Sequence, residues 1–197
     1  MQTTATIYFI RHGETDWNAE LRFQGQEDVP INAKGEGQAA RNGRMLATLL
    51  DRPEHYDFVA SPLLRTRHTM EIVRGEMGLS PTEYRLEDRL KEIHYGGWQR
   101  RKLDAIKLEE AEALAARRAD PFHWRPPGPG GESYAMLSER VAGWLAGVTR
   151  DTVVVSHGGV MRCLRGLIEG LALADVPKLD VPQDRILLLK GGRSSWH

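Results

Sequence analysis

Two short runs, Thr6 to Ile10 and Thr152 to Val155, constrain this chain more than anything else in it. Each is β-branched, aliphatic or aromatic throughout. Each leads into a histidine followed by glycine, Arg11-His12-Gly13 after the first and Ser156-His157-Gly158-Gly159 after the second. An unbroken apolar run of this length reads as a buried strand, and open α/β sheets gather their ligands at the carboxyl ends of such strands. Two strands ending this way, with histidines 145 positions apart, suggest a fold that brings two imidazoles to one rim. The glycine after each histidine lets the backbone turn sharply and a ligand approach closely.

Between these runs the pattern alternates. Gly35 to Asp51 carries Ala39, Ala40, Gly43, Leu46, Leu49 and Leu50 at helical spacing, and Tyr56 to Ala60 reads as a strand. Ser61-Pro62 supplies an N-cap and a first-turn proline, which predicts a helix from there to about Glu76, ended by Gly78 and Pro81. Thr82 to Leu86 is a candidate third strand, and Asp104 to Arg118, rich in Ala, Leu and Glu, is a predicted helix. Asp120 to Gly131 holds four prolines and three glycines in twelve residues and reads as a loop within a domain, because helical spacing resumes at Tyr134, Leu137, Val141, Trp144, Leu145 and Val148. A helix from about Val160 to Leu171 and a strand from Arg185 to Leu189 follow. The tail from Gly191 to His197 either extends that strand through a turn at Gly191-Gly192 or frays.

At 197 residues the chain suits one substantial domain. Lys plus Arg equals Asp plus Glu, 27 each, so no long-range field favours nucleic acid or an anionic membrane, and any cationic site must be local. The single cysteine, Cys163, excludes an intrachain disulfide and lies in an apolar pattern that predicts a core position. With no basic n-region and no 18-residue apolar stretch, the expected location is the cytoplasm.

Arg65 and Arg67 stand near the start of the predicted second helix, where a cation opposes the macrodipole at a cost of about 0.3–1 kcal/mol. Either one alone is more readily a solvated side chain. Taken together with Arg11, His12 and His157, however, strand ends and a helix N-terminus would present the groups best suited to a phosphate.

The ordered motifs resemble the histidine phosphatase superfamily, the group that includes cofactor-dependent phosphoglycerate mutases. Arg11-His12-Gly13-Glu14-Thr15-Asp16-Trp17-Asn18 is similar to its nucleophile motif, and Phe23-Gln24-Gly25-Gln26-Glu27-Asp28 with Pro30 to the segment after it. Ser61-Pro62-Leu63-Leu64-Arg65-Thr66 resembles the second arginine motif, and Lys91-Glu92-Ile93-His94-Tyr95-Gly96 the acid-bearing segment. Gly130-Gly131-Glu132-Ser133 and Ser156-His157-Gly158-Gly159 resemble the last two. The resemblance implies an α/β fold, a three-layer α/β/α sandwich around a mostly parallel central sheet. It also implies one domain over 1–197, with a lid or loop region at about 93–131.

The same resemblance assigns catalysis to His12, Arg11, Arg65, Glu92 and His157, and contacts with phosphate or substrate to Asn18, Gln24, Gly25 and Gly158. Asn18 and Gln24 are equally readable as loop caps, and structural roles are favoured for Glu14 and Ser133. A neutral imidazole can attack phosphorus in line and form a phosphohistidine. Arg11, Arg65 and His157 would hold the equatorial oxygens, and Glu92 would protonate the departing alkoxide. With fixed guanidinium charges no metal or other cofactor is expected, and no His-Glu-x-x-His pair or phosphate-binding Gly-x-x-x-x-Gly-Lys loop occurs.

Two departures favour hydrolysis of a small phosphomonoester over mutase chemistry: the short Pro-Gly loop where mutases usually carry a long insertion, and Gly159 where they commonly carry asparagine. Tyr95 resembles the mutase version of its segment, so isomerisation stays as the alternative, with a catalytically idle phospho-ligand-binding protein behind it. Arg100-Arg101-Lys102, Arg117-Arg118 and Arg125 read as a solvated helix face or a cationic lid, the former favoured. Tyr95 and Trp98 beside them form a weak case for an RNA platform, against which the zero net charge argues. The other tryptophans read as packing residues. Oligomeric state has no signature here.

Overall fold

The computed structural model describes residues 4–197. Strand β1 (Ile7–Arg11) and strand β4 (Thr152–Ser156) lie side by side and parallel, with Arg11 opposite Ser156. β4 also pairs in parallel with β2 (Asp57–Ala60), and β2 with the two-residue β3 (Arg85–Leu86). On the other edge β5 (Ile186–Lys190) runs antiparallel to β1, and β6 (Arg193–Trp196) closes a hairpin on β5. The six strands therefore lie in the order β3-β2-β4-β1-β5-β6, four of them parallel. The tail extends the sheet: Gly191 and Gly192, both at positive φ, form the turn into β6.

Strand alternation divides the core between the two faces of the sheet. Ile7, Phe9, Val154, Leu187 and Leu189 face one side, packed with Leu137, Val141 and Trp144 of α6 (Tyr134–Leu145) and with Val160, Met161 and Leu164 of α7 (Gly158–Glu169). Ile10, Phe58, Val153, Val155 and Ile186 face the other. They pack with Leu46 of α2 (Ala33–Leu49) and with Met70 and Val73 of α3 (Leu64–Glu76). Helices on both faces make this a three-layer α/β/α sandwich. Cys163 is buried within the first cluster, where burial pushes its thiol pKa up and leaves it inert.

Three expectations need correction. The cap of α3 is not Ser61: the helix begins at Leu64 with Leu63 as N-cap, and its first N–H donates to Asp28 Oδ1 at 2.5 Å, a cap supplied by a distant loop. The predicted helix 104–118 is two helices, α4 (Leu103–Glu109) and α5 (Ala111–Ala119), broken at Glu110 with φ −134°. Glu110 is turned to hydrogen-bond Trp98 Nε1 at 2.7 Å and to bind Arg101, which the continuous helix would not allow. Of Thr82 to Leu86 only the last two residues pair as a strand. The short helix α1 (Asp16–Ala19) was not anticipated; Thr15 and Asn18 close a capping box around its start. Among the described residues no helix is long and apolar enough to cross a membrane.

Candidate active site

After β1 the chain passes to α2 on one face of the sheet, and after β4 it passes to α7 on the opposite face. The two parallel strands thus diverge at their carboxyl ends, the place where open α/β sheets leave a crevice. His12 and His157 are the next residues of their strands, and their rings lie 5.2 Å apart between centroids. Both are buried. His12, but not His157, edges a cavity of about 170 Å³ that is also lined by Arg11, Asn18, Gln24, Gly25, Arg65, Glu92 and Gly158, with Arg22, Phe23, Tyr95, Arg162 and Val181; His157 stands behind His12.

The tautomer of His12 follows from its partner. Nδ1 lies 2.8 Å from the carbonyl oxygen of Gly13, which can only accept, so Nδ1 carries the proton and the Nε2 lone pair is free. Burial pushes the pKa of His12 well below that of an ordinary imidazole, and the charges of Arg65 and Arg11 push it the same way. His12 is neutral at physiological pH. Gly13 N–H donates to Thr69 Oγ1 at 3.0 Å, and a Cβ on Gly13 would meet the carbonyl oxygen of Gly35 at 2.3 Å. The glycine is thus required by a close backbone crossing beneath the histidine.

Arg65, in the first turn of α3, is fully buried, and its guanidinium donates to the carbonyls of Glu27 and Gly25, each at 2.7 Å. Burial lowers its pKa to about 10, so it keeps its charge at neutral pH. Gly25 holds φ +55°, where a side chain would strain the backbone and strike Gln99. Its contribution is the carbonyl that fixes Arg65. Arg11 donates to Val181 O at 2.8 Å. The Nε atoms of Arg11 and Arg65 and the Nδ1 of His157 are buried without a protein partner, and the two guanidinium N–H groups are donors suited to an oxyanion; the Oε1 of Gln24, also unpartnered, can only accept. His157 Nε2 lies 2.8 Å from Ser61 Oγ, and burial first, then Arg65, lowers the His157 pKa well below its usual value. Freed from capping α3, Ser61 orients this imidazole.

Glu92 reaches the same cavity from the segment before the short helical turn at Gly96–Trp98. Its carboxylate accepts the N–H of Ile93 at 2.9 Å and of Gly159, in the first turn of α7, at 3.1 and 3.3 Å. A Cβ on Gly159 would lie 2.4 Å from Glu92 Oε1 and 3.0 Å from Leu137 Cδ2. The glycine at this position is what lets the carboxylate sit there. Arg140 of α6 braces the segment from behind, donating to the carbonyls of Arg89, Lys91 and Glu92 at 2.7–3.0 Å and forming two 3.0 Å bonds to Glu132. Glu132 in turn accepts His94 N–H at 2.9 Å. The Gly-Gly-Glu-Ser motif is therefore a brace: Glu132 holds the Glu92 segment and Ser133 caps α6.

The remaining sequence candidates separate. Asn18 lines the cavity, and it also completes the capping box of α1, with Oδ1 3.3 Å from Gln183 Nε2. Glu14 is engaged by Lys34 and Asn32, a structural role. Arg100 pairs with Glu27, Arg101 with Glu109 and Glu110, and Lys102 with Glu20, so this basic run is neutralised locally. Arg117 lies over the rings of Phe23 and Trp98. Trp98 is fully buried and offers no stacking platform. Arg162, missed in the sequence, enters the cavity from α7, holding Leu179 O at 2.8 Å and Tyr134 Oη at 3.3 Å. The available signal was a cation one turn beyond Gly158 on an otherwise apolar helix face. Val181 and Gln183 carry no such signal. Among the described residues no three His, Cys, Asp or Glu side chains group as a metal-ligand set.

A buried imidazole pair between two arginines at the ends of β1 and β4 defines the class. The sequence matches the histidine phosphatase superfamily (branch 1) over residues 7–197, and the chain belongs to that family. Among curated relatives, a protein of Salmonella paratyphi C named "Probable phosphoglycerate mutase GpmB" is 37% identical over 172 residues, covering 84% of this chain and 75% of the relative. Among solved structures, mycobacterial glucosyl-3-phosphoglycerate phosphatase in complex with VO3 superposes with a TM-score of 0.79 at 28% identity, covering 98% of this chain and 96% of that one. The alpha-ribazole phosphatase of Shigella flexneri gives 0.80 at 26% identity, covering 98% and 94%.

Proposed function

We propose that this chain hydrolyses small phosphomonoesters without a metal, through a phosphohistidine at His12. The observation that carries this reading is the placement of a neutral, Nδ1-protonated His12 beside Arg11 and the buried Arg65, with Glu92 on the same cavity. His12 Nε2 attacks phosphorus as the bond to the ester oxygen breaks, and protonated Glu92 gives its proton to that oxygen, releasing an alcohol. Arg11 and Arg65 neutralise the phosphoryl oxygens and, with the uncharged His157, orient them, the largest contribution in a reaction that depends on positioning. Glu92, now a carboxylate, takes a proton from water, whose oxygen forms the new bond to phosphorus while the N–P bond breaks. Orthophosphate leaves and His12 is neutral again.

Segment 93–131 acts as the lid in this scheme. Trp98, Ile106 and Leu114 form a small core of their own with Phe23 and Tyr95, and both of those aromatic residues line the cavity. Gly159 is the residue that admits Glu92. Gly159→Ala displaces the acid, and because the added Cβ also presses on the buried Leu137 Cδ2 at 3.0 Å, that crowding offsets what alanine gains as a helix former. The expected result is a folded protein with a melting temperature near or somewhat below that of the parent, with turnover of alkyl phosphates down by about 10–100-fold. Parent-like turnover would show that Glu92 acts from elsewhere.

Mutase chemistry is the second reading, favoured by the 37%-identical relative and by Arg162, which could hold a substrate carboxylate in the cavity. The two are separated by incubating 3-phosphoglycerate, with and without bisphosphoglycerate, and a panel of other phosphomonoesters in EDTA and following phosphorus by NMR. Orthophosphate accumulating in step with free alcohol is expected. An isomeric phosphoglycerate with little orthophosphate would establish the mutase, and activity only after added Mg²⁺ or Zn²⁺ would overturn the metal-free scheme.

A further inference from the structure

Several groups at the phosphate cavity take their partners from one short stretch, Leu179 to Asp184, just before β5. Leu179 O accepts from Arg162 Nε at 2.8 Å, and Val181 O accepts from Arg11 Nη1 at 2.8 Å. The Gln183 side chain supplies a third hold: its Nε2 donates to the His12 carbonyl at 2.9 Å and lies 3.3 Å from Asn18 Oδ1. Arg65 and Glu92 are anchored elsewhere, on the carbonyls of Glu27 and Gly25 and on the N–H of Gly159. The stretch therefore acts on the nucleophile and its neighbours rather than on the whole site.

The direction of both amides follows from the backbone. A carbonyl can only accept, so the Gln183 atom facing His12 O is the NH2 nitrogen, and its second hydrogen is available to Asn18 Oδ1. Asn18 Oδ1 is identified in the same way, because it also accepts the N–H of Thr15 at 3.1 Å. Asn18 Nδ2 is left with no hydrogen-bond partner among the described residues, on a side chain that lines the cavity. His12 is pinned on both sides of its main chain, by its N–H to Ser156 O at 2.9 Å and by its carbonyl to Gln183. One nitrogen, on a residue 171 positions from His12, thus ties the main chain of the nucleophile to an amide on the same cavity. Phosphoryl transfer depends on alignment, and a displacement of about 1 Å costs about a hundredfold.

We propose that Gln183 is a positioning residue for phosphoryl transfer, holding His12 Nε2 in line with phosphorus through the His12 carbonyl and the Asn18 amide. The inference rests on the transfer of the phosphoryl group to His12. Gln183 itself does not line the phosphate cavity. Its contribution belongs to the transition state, because Arg11 and Arg65, whose charges bind a resting phosphate, keep their own partners without it.

Gln183→Met keeps the length of the side chain and removes the donor. The stretch stays anchored, because Asn42 Nδ2 donates to the Gln183 carbonyl at 3.1 Å and Arg41 to that of Asp184. For p-nitrophenyl phosphate, kcat per binding site falls by about 10–100-fold, while KM stays within about threefold of the parent. Calorimetric titration with orthophosphate and orthovanadate gives the second reading, since vanadate adopts the five-coordinate geometry of the transfer on a nucleophile and orthophosphate does not. In the parent, vanadate binds tighter by about a hundredfold or more. In Gln183→Met that preference shrinks by about tenfold or more, with the affinity for orthophosphate kept. Titration counts only sites able to bind, so partial unfolding lowers the number of sites and leaves the preference unchanged. A variant that keeps both its kcat per site and its preference for vanadate, whatever its melting temperature, would overturn the positioning role and make Gln183 purely structural. A parent with no preference for vanadate would overturn the transfer to His12 and this inference with it, a failure that shows before any substitution is made.

Discussion

His12→Ala abolishes turnover, with a loss of about 10³-fold or more, while leaving a folded protein. The size follows from removing the nucleophile of a double displacement, which no neighbouring group can replace. His157 is the nearest imidazole, 5.2 Å away between centroids, but its Nε2 is committed to Ser61. The fold survives because the substitution removes one internal bond, Nδ1 to the Gly13 carbonyl, and strands no buried charge. The main-chain bonds of residue 12, its N–H to Ser156 O at 2.9 Å and its carbonyl to Gln183 Nε2 at 2.9 Å, remain. Circular dichroism and phosphate release on one preparation check both halves. Folded protein retaining activity within about tenfold of the parent would remove His12 as nucleophile.

Glu92→Gln separates substrates by their leaving groups. Alkyl phosphates, which expel a basic alkoxide, need the proton and should lose about 10²–10⁴-fold in kcat, the usual worth of a positioned acid. p-Nitrophenyl phosphate expels a stable phenolate and should lose far less. The amide keeps the shape of the carboxylate and an oxygen able to accept the Gly159 N–H, so the arginines stay where they are. A plot of log kcat against leaving-group pKa should steepen in the variant; equal losses across the series would assign Glu92 to electrostatics or packing.

What could be read from the residues follows from how local each signal is. β1 and β4 are legible because parallel strands buried on both faces need continuous apolar runs, and the histidines follow without a gap. Arg65 is legible as an anomaly, a cation in a helix's first turn. Ser61 misleads because it looks like a cap, whereas Asp28, 36 positions before Leu64, does the capping and Ser61 serves His157. The break between α4 and α5 is invisible because it depends on Trp98 and Arg101 reaching Glu110 from the turn before α4. The bracing of Glu92 by Arg140 and Glu132, and the space Gly159 makes for it, are tertiary facts that leave only a motif in the chain.

The most direct measurement is to stop the reaction within its first turnovers and map the phosphorylated peptide by mass spectrometry. One phosphoryl group on the peptide carrying His12, stable in alkali, lost in acid and missing from His12→Ala, is the result expected of a nucleophile held between Arg11 and Arg65. Turnover under the same conditions with no protein-bound phosphate at any time, or with phosphate on a peptide that excludes His12, would contradict it.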